Sequence, residues 1–234
     1  MPRPMLSPRR LVALAAVLLF PARAHAIYHL TAIDEVVTSY NGESSQQLIQ
    51  LRELAIVQNN LTNSVLAAFG AAGNYLGDVL VLPAGVPNGG PDLHWTVATQ
   101  EFQTANHVTT DFTMSGTLLS PSGGMVCYGG GGGIAPKNPP DWDRNDFTNY
   151  VDCVAYGSYI GPTNHLIGQP TRETPIGHSV QRIGISNDNA ADFACGQPIV
   201  VTSNSGASVA LPATVPCNCG ARERVILRRF RPRE

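Results

Sequence analysis

One stretch of the chain constrains its fold more than any other, the run Tyr150–Gly157. It is rich in aromatic and β-branched residues, it contains Cys153, and it ends at a glycine, which is typical of a central β-strand. A second run of the same character, residues 125–128, carries Cys127 shortly before it. We therefore predict two neighbouring strands joined by a Cys127–Cys153 disulfide, at the centre of an all-β domain.

Short runs of apolar or alternating residues, separated by Gly, Pro and Asn turns, continue this pattern along the chain. A helix is the competing interpretation for residues 48–57, and residues 100–122 are predicted to be irregular. Because no helical period dominates, the pattern predicts an immunoglobulin-like antiparallel β-sandwich with long loops. Its predicted strands are residues 31–37, 47–54, 64–69, 78–82, 93–98, 125–128, 150–157 and 179–183, with an exit at Asp192-Phe193.

The two ends of the chain differ from this central part. Three arginines precede an apolar run at residues 11–20, and small residues follow at 24–26. This order predicts a secretory signal peptide cleaved after Ala26, and its apolar run is too short to span a membrane. We divide the chain into a signal peptide (1–26), a sandwich domain (27–197) and an extended tail with a basic C-terminus (198–234).

The net charge of −2 hides an acidic body. Four of the 15 basic residues lie in the signal peptide and six lie after Gly220 with two glutamates, which leaves five basic and 15 acidic residues at 27–220. Nucleic-acid binding needs clustered Lys and Arg on a folded surface. We therefore expect no nucleic-acid partner.

Five cysteines remain in a chain that is predicted to be exported, where disulfides form readily. After Cys127 with Cys153, the next pairing is Cys195 with Cys217 or Cys219. An odd count leaves one thiol free or available to another molecule.

One loop has the residue types of a metal site. Asp141, Asp143 and Asn145 alternate around Trp142, as oxygen ligands do in the first half of an EF-hand loop. Asp146 stands where the EF-hand requires glycine, so a solvated acidic loop is the simpler interpretation. The alternative is a structural Ca²⁺ site, and we expect no other cofactor. Trp142 and Asp146 are candidate binding-loop residues within 129–146, and 83–91 is the second candidate binding loop.

Catalytic motifs are absent from the sequence. The residues around Ser179 lack the second glycine of a nucleophile elbow, and no His-Glu-x-x-His motif occurs. Asp34 and Glu35 are neighbours on a strand and face opposite sides; one of them is expected to bond backbone or Arg182. The alternative is a secreted hydrolase with an unrecognised site, built from Asp141, Asp143, Asp152 or His178.

Several motifs follow one another in the order of a known family. They are Ile33-Asp34-Glu35-Val36, Gln50-Leu51-Arg52-Glu53, Asp111-Phe112 with Gly124-Met125-Val126, Val151-Asp152-Cys153-Val154-Ala155-Tyr156-Gly157, Gly177-His178-Ser179-Val180-Gln181-Arg182 and Asp192-Phe193. In this order they resemble the lamin tail domain family, in the divergent form of secreted bacterial proteins, over residues 30–196. The Trp of the family's Trp-Ile-Glu-Leu strand is missing, and the cysteines and the glycine-rich insertion are additions.

The resemblance implies an immunoglobulin-like sandwich that serves as an attachment or binding module, generally without catalytic residues. We therefore expect an exported, non-catalytic module that binds an unknown partner at the cell surface or outside the cell. The arginine-rich segment 222–233 is either a solvated end or a weak contact to an anionic surface.

Overall fold

The computed structural model describes residues 30–130, 143–146, 149–163, 167–196 and 198–217. These ranges contain twelve strands and two short helices. The signal peptide, most of the glycine-rich insertion, Cys219 and the arginine-rich segment 222–233 lie outside them. The strands are β1 (Thr31–Val37), β2 (Leu48–Glu53), β3 (Val65–Phe69), β4 (Tyr75–Val81), β5 (His94–Ala98), β6 (Phe112–Thr113), β7 (Gly123–Gly129), β8 (Tyr150–Gly157), β9 (Ser179–Arg182), β10 (Phe193–Gly196), β11 (Ile199–Thr202) and β12 (Ser208–Leu211), and the helices are α1 (Gln100–Asn106) and α2 (Asn189–Asp192).

Two sheets form the body of the protein. The first has six strands in the order β10-β9-β1-β2-β5-β6, and its neighbours are antiparallel except for β5 and β6. The second has four antiparallel strands in the order β4-β3-β7-β8. The predicted all-β sandwich is confirmed, and residues 48–53 form a strand instead of the competing helix.

The main core lies between the two sheets. It is built from side chains that alternate along each strand, so Val126 and Tyr128 of β7 face the first sheet. Trp95 of β5 fills the centre, and its ring lies 5.5 Å from that of Tyr128 and 5.9 Å from that of Phe112. Complete burial of each such side chain stabilises the fold by about 2 kcal/mol.

Further layers cover the outer faces of both sheets. Tyr150, Tyr159 and Ile167 cover the outer face of the second sheet, where Met125 and Cys127 point. Because both faces of β7 are covered, all seven of its residues are buried. This explains why the predicted central strands are almost continuously apolar instead of alternating.

The prediction of an irregular segment at residues 100–122 is wrong for its first part, which forms α1. Thr99 is the N-cap of this helix and accepts a hydrogen bond from the N–H of Phe102, whose ring is buried. His107 ends the helix in the left-handed conformation. One cap and one buried aromatic residue suffice for a seven-residue helix but produce no helical period.

The prediction of an extended tail from residue 198 is also wrong up to Leu211. Strands β11 and β12 form an antiparallel hairpin, and Ile199 and Leu211 pack with Phe102 against the outer face of the first sheet. At the hairpin turn, the N–H of Asn204 donates to the carboxylate of Asp111 at 3.0 Å. Neither helix in the described ranges has the length and hydropathy to cross a lipid bilayer.

Candidate functional site

The structure contains two disulfides among the described cysteines. Cys127 and Cys153 lie directly opposite each other on β7 and β8, with a Cα–Cα distance of 4.1 Å, and both are fully buried. This is the pairing preferred from the sequence. Cys195 of β10 is bonded to Cys217, at a Cα–Cα distance of 5.7 Å, and both are half-buried.

Next to the first disulfide, a buried ion pair joins the two sheets. Asp152 of β8 accepts hydrogen bonds from the guanidinium of Arg182 and, at 2.7 Å, from the backbone N–H of Ile33. The guanidinium also lies over the ring of Phe193, 4.4 Å from its centre. Burial raises the pKa of Asp152, and Arg182 opposes that shift.

Of the two partners expected for Asp34 or Glu35, Arg182 is therefore wrong, whereas the backbone is confirmed, because Glu35 has a hydrogen bond with the backbone of Val200. Asp34 pairs with Arg52 at 2.9 Å and contacts His94 at 3.2 Å.

The expectation that Asp34 and Glu35 face opposite sides is also wrong, because a β-bulge between Ile33 and Glu35 brings both to the outer face of the first sheet. There Glu35 accepts a hydrogen bond from the side chain of Gln181 at 2.9 Å. Burial raises the pKa of Glu35 to about 7.

The acidic loop proposed for Ca²⁺ is described only in part, because Asp141 and Trp142 lie outside the described ranges. Asp143 accepts hydrogen bonds from the backbone N–H of Asn145 at 2.9 Å and from its side chain at 3.1 Å. These bonds close a local turn that is typical of Asp. Asp146 lies in the same turn, where its N–H donates to the carbonyl of Asp143.

The second candidate binding loop, residues 83–91, is fixed to the body of the protein. The N–H of Gly90 donates to Glu53 at 2.7 Å, and the N–H of Asn88 donates to the side chain of Asn204 in the C-terminal hairpin at 2.8 Å. Glu53 is buried, and this burial raises its pKa to about 7. The loop is therefore held near its end by β2 and near its middle by the C-terminal hairpin.

A cleft of about 450 Å³ opens where residues 172–178 meet the segment that ends at Cys217. The 172–178 segment is fixed to β1 through the N–H of Thr38, which donates to the carbonyl of Pro175 at 2.8 Å. The segment that ends at Cys217 is fixed to the 172–178 segment by the N–H of Thr214, which donates to the carbonyl of Gly177 at 2.6 Å. The cleft is lined by Arg172, Glu173, Thr174, Ile176, His178, Val215 and Pro216.

At the back of the cleft, three metal-binding side-chain types come together. One ligand atom each from Glu173, His178 and Cys195 lies within 4.8 Å of the others, and no other such group occurs in the described ranges. His178 is 6% exposed, and both ring nitrogens are buried without a well-formed hydrogen bond. The backbone groups of Thr174 and Val215 make only poorly aligned hydrogen bonds to the ring, and burial lowers the pKa of His178.

The residues named for a hydrolase have different neighbours. Asp152 belongs to the buried ion pair, Asp143 to its own loop and His178 to the cleft.

Sequence reasoning missed Arg172 and Glu173 altogether. Glu173 and His178 lie in an irregular segment, and only the pairing of β9 with β10 brings Cys195 beside them, so no fixed spacing in the sequence marks the group.

Comparison of the chain with family models, with curated proteins and with solved structures finds no match. Function must therefore be inferred from the geometry of the molecule.

Proposed function

We propose that this chain is an exported, non-catalytic β-sandwich module that binds or scaffolds at the cell surface or outside the cell, with the cleft as its binding site. Two disulfides support export, because such bonds persist in oxidising compartments. The order of strand motifs, which resembles that of lamin tail domains, supports an attachment role by analogy.

The observation that carries the proposal is the composition of the cleft. The exposed side chain of Arg172 and the half-buried carboxylate of Glu173 provide one positive and one negative group in the cleft, while Ile176, Val215 and Pro216 provide apolar walls. Concave sites with an apolar lining and a few fixed polar groups are typical of ligand binding. A peptide or an acidic sugar has the matching carboxylates, amides and apolar parts.

Three carboxylates of the sandwich already have arginine partners within the protein. Asp152 is paired with Arg182, Asp34 with Arg52, and Asp78 with Arg144 at 3.2 Å. Such pairs connect strands and loops and leave these carboxylates bonded within the fold. This distribution favours binding over catalysis.

The test is a binding screen of the purified protein against immobilised peptides, acidic oligosaccharides and cell-envelope polymers, read by surface plasmon resonance. We expect saturable binding to one class, weakened about tenfold by Arg172→Ala or Glu173→Gln, since loss of a charge-assisted hydrogen bond costs on the order of 1.5 kcal/mol. Glu101→Gln, on the exposed surface of α1, is the matched control. Turnover of an ester, peptide or glycoside substrate that His178→Gln abolishes would overturn the proposal in favour of a hydrolase.

A further inference from the structure

The group at the back of the cleft contains a potential fourth ligand beyond Glu173, His178 and Cys195. Cys217 is bonded to Cys195, so its sulfur lies next to the ligand atoms of Glu173, His178 and Cys195, at a place that we call the corner of the cleft. One imidazole, one carboxylate and two sulfurs are a ligand set from which four-coordinate Zn²⁺ sites are made. In the disulfide the sulfurs are not thiolates, and thiolate is the form of cysteine that binds metal.

A second observation points to the same corner. His178 is 6% exposed, and its ring nitrogens have only poorly aligned hydrogen bonds to the backbone of Thr174 and Val215. Buried polar groups in native proteins nearly always have a well-formed partner, so such an exception requires an explanation. The neutral ring carries one N–H and can donate to only one carbonyl, so a metal ion bound to the other nitrogen would provide the missing partner.

We propose that reduction of the Cys195–Cys217 disulfide converts this corner into a Zn²⁺-type site formed by His178, Glu173 and the two cysteine thiolates. In a tetrahedral site with Zn–S bonds of about 2.3 Å and Zn–N and Zn–O bonds of about 2.0 Å, ligand atoms lie roughly 3.3 to 3.8 Å apart. The three ligand atoms are already within 4.8 Å of one another. Movements of about 1 Å in side chains at the edge of the fold complete the geometry.

The chemistry balances with a dithiol reductant. The reductant supplies two electrons and two protons, the S–S bond of Cys195–Cys217 breaks, two S–H bonds form, and the reductant becomes a disulfide. Zn²⁺ then displaces both thiol protons to solvent as two Zn–S bonds form. Because the same sulfurs serve either the disulfide or the metal, the two states exclude each other.

The structure favours reduction of this disulfide over the other one. Cys195 and Cys217 are half-buried at the cleft, whereas Cys127 and Cys153 are completely buried. Thiol–disulfide exchange requires access to a sulfur atom. The charge is also suitable, because a Zn²⁺ ion with two thiolates and one carboxylate carries a net charge of −1, and Arg172 lines the same cleft.

This inference does not rest on the proposed binding function, since its test uses metal ions alone. The experiment titrates Co²⁺ into the purified protein in the oxidised form, and again after treatment with a dithiol that is removed under nitrogen. Cys219→Ser serves as the background, so that its thiol cannot bind metal. The readouts are the thiolate-to-cobalt charge-transfer band, the visible bands of tetrahedral Co²⁺ and, by competition, the Zn²⁺ affinity.

We expect one Co²⁺ per reduced chain, a tetrahedral spectrum with thiolate bands, and no uptake by the oxidised form. His178→Gln and Glu173→Gln, which leave the disulfide intact during folding, should weaken binding about 100-fold, because loss of outer-shell partners alone costs up to about that much. The control His107→Asn keeps a residue suited to the left-handed cap of α1 and should bind as the parent does.

Three results would overturn the proposal. The first is a reduced protein that takes up no metal, including one that loses its circular dichroism on reduction and does not regain it with Co²⁺. The second is equal uptake by the oxidised form. The third is thiolate-bound Co²⁺ whose affinity does not change in His178→Gln and Glu173→Gln.

Discussion

The two disulfides close loops of similar length but lie in contrasting surroundings. The sequence separations are 26 residues for Cys127–Cys153 and 22 for Cys195–Cys217. The chain-entropy model therefore assigns both nearly the same stabilisation, about 3.5 kcal/mol. Any difference between them must come from what surrounds each bond in the folded protein.

Around Cys127–Cys153, side chains such as Tyr159 and Ile167 bury the sulfurs on the outer face of the second sheet, and the neighbouring carboxylate of Asp152 has two hydrogen-bond donors. Around Cys195–Cys217, the sulfurs are half-buried and the neighbouring His178 has no well-formed hydrogen bond. The buried carboxylate of the first region therefore has its hydrogen-bond partners, and the buried imidazole of the second does not. Unsatisfied groups next to a cleft are typical of sites that act on something outside the protein, so we expect the first bond to serve stability and the second to serve the proposed site.

Removal of each disulfide should give the largest effect and should separate the two regions. We expect Cys127→Ala with Cys153→Ala to lower the free energy of unfolding by about 5 kcal/mol, because two buried sulfurs leave cavities in addition to the entropic loss. Cys195→Ala with Cys217→Ala should cost about 3 kcal/mol. Urea unfolding of both double variants measures the difference, and equal losses would show that burial does not distinguish the two bonds.

The buried ion pair next to the first disulfide should give the second largest effect. Asp152→Asn leaves the guanidinium of Arg182, whose side chain is 4% exposed, without its counter-charge. We expect a loss of about 4 kcal/mol, as for other broken buried pairs. The matched control is Asp92→Asn, whose pair with Arg52 involves a carboxylate that is 80% exposed and should cost less than about 1 kcal/mol. Similar losses in the two variants would contradict the contrast between a satisfied interior and a solvated surface.

On the β9 side of the first sheet, stability should depend on pH through Glu35, which bonds Gln181 on the strand that follows His178. Its pKa is about 7 in the folded protein against an ordinary 4.5, so between these values only the folded state binds the proton. Its contribution to stability is therefore complete below pH 4.5 and decreases as the pH rises through 7.

Glu35→Gln removes this dependence. We expect the variant to be more stable than the parent at pH 8, by about 3 kcal/mol at most, and equally stable at pH 4.5, since each unit of pKa shift corresponds to about 1.4 kcal/mol. Chemical unfolding at both pH values isolates the term, because the other groups titrate alike in both proteins. A constant difference across this range would mean that Glu35 is ionised in the folded state.

Much of this architecture follows from local pattern. The strand Thr31–Val37 and the pairing of Cys127 with Cys153 follow from runs of apolar and β-branched residues, because central strands need such side chains on both faces. The C-terminal hairpin was not anticipated, since the Val, Thr and Ser residues around Ile199 resemble a linker in composition. Only its packing on Phe102 reveals it as part of the fold.

The cleft depends on tertiary structure to a greater degree. Cys195 reaches His178 because β10 pairs with β9 in a register that places Cys195 opposite Val180. Glu173 arrives through an irregular segment that bridges the ends of both sheets. The sequence around Cys195 and Glu173 has no residue spacing that predicts their contact, so sequence analysis named His178 only as one of four candidate residues of a hydrolase site.

The smallest effect concerns Gly177, where the segment 172–178 contacts the segment 212–217. We call this second segment, which follows the hairpin and contains Cys217, the strap. Gly177 has a φ of +69°, and a Cβ there would lie 2.5 Å from the side chain of Val215. Gly42 has a φ of +80° but nothing within 4 Å of such an atom, so it measures the backbone term alone. We expect Gly42→Ala to cost about 1 kcal/mol and Gly177→Ala about 2 kcal/mol, since alanine is strained at positive φ.

The difference between these two variants reports how tightly the strap is held. In Gly177→Ala, hydrogen exchange at Thr214 should accelerate, because its N–H donates to the carbonyl of Gly177 and the new methyl group pushes the strap away. The same exchange should be unchanged in Gly42→Ala, and amides of β7 should stay protected in both. Exchange at Thr214 that is equally fast in the parent protein would mean that the disulfide alone positions the strap, and that the cleft is more open than its hydrogen bonds suggest.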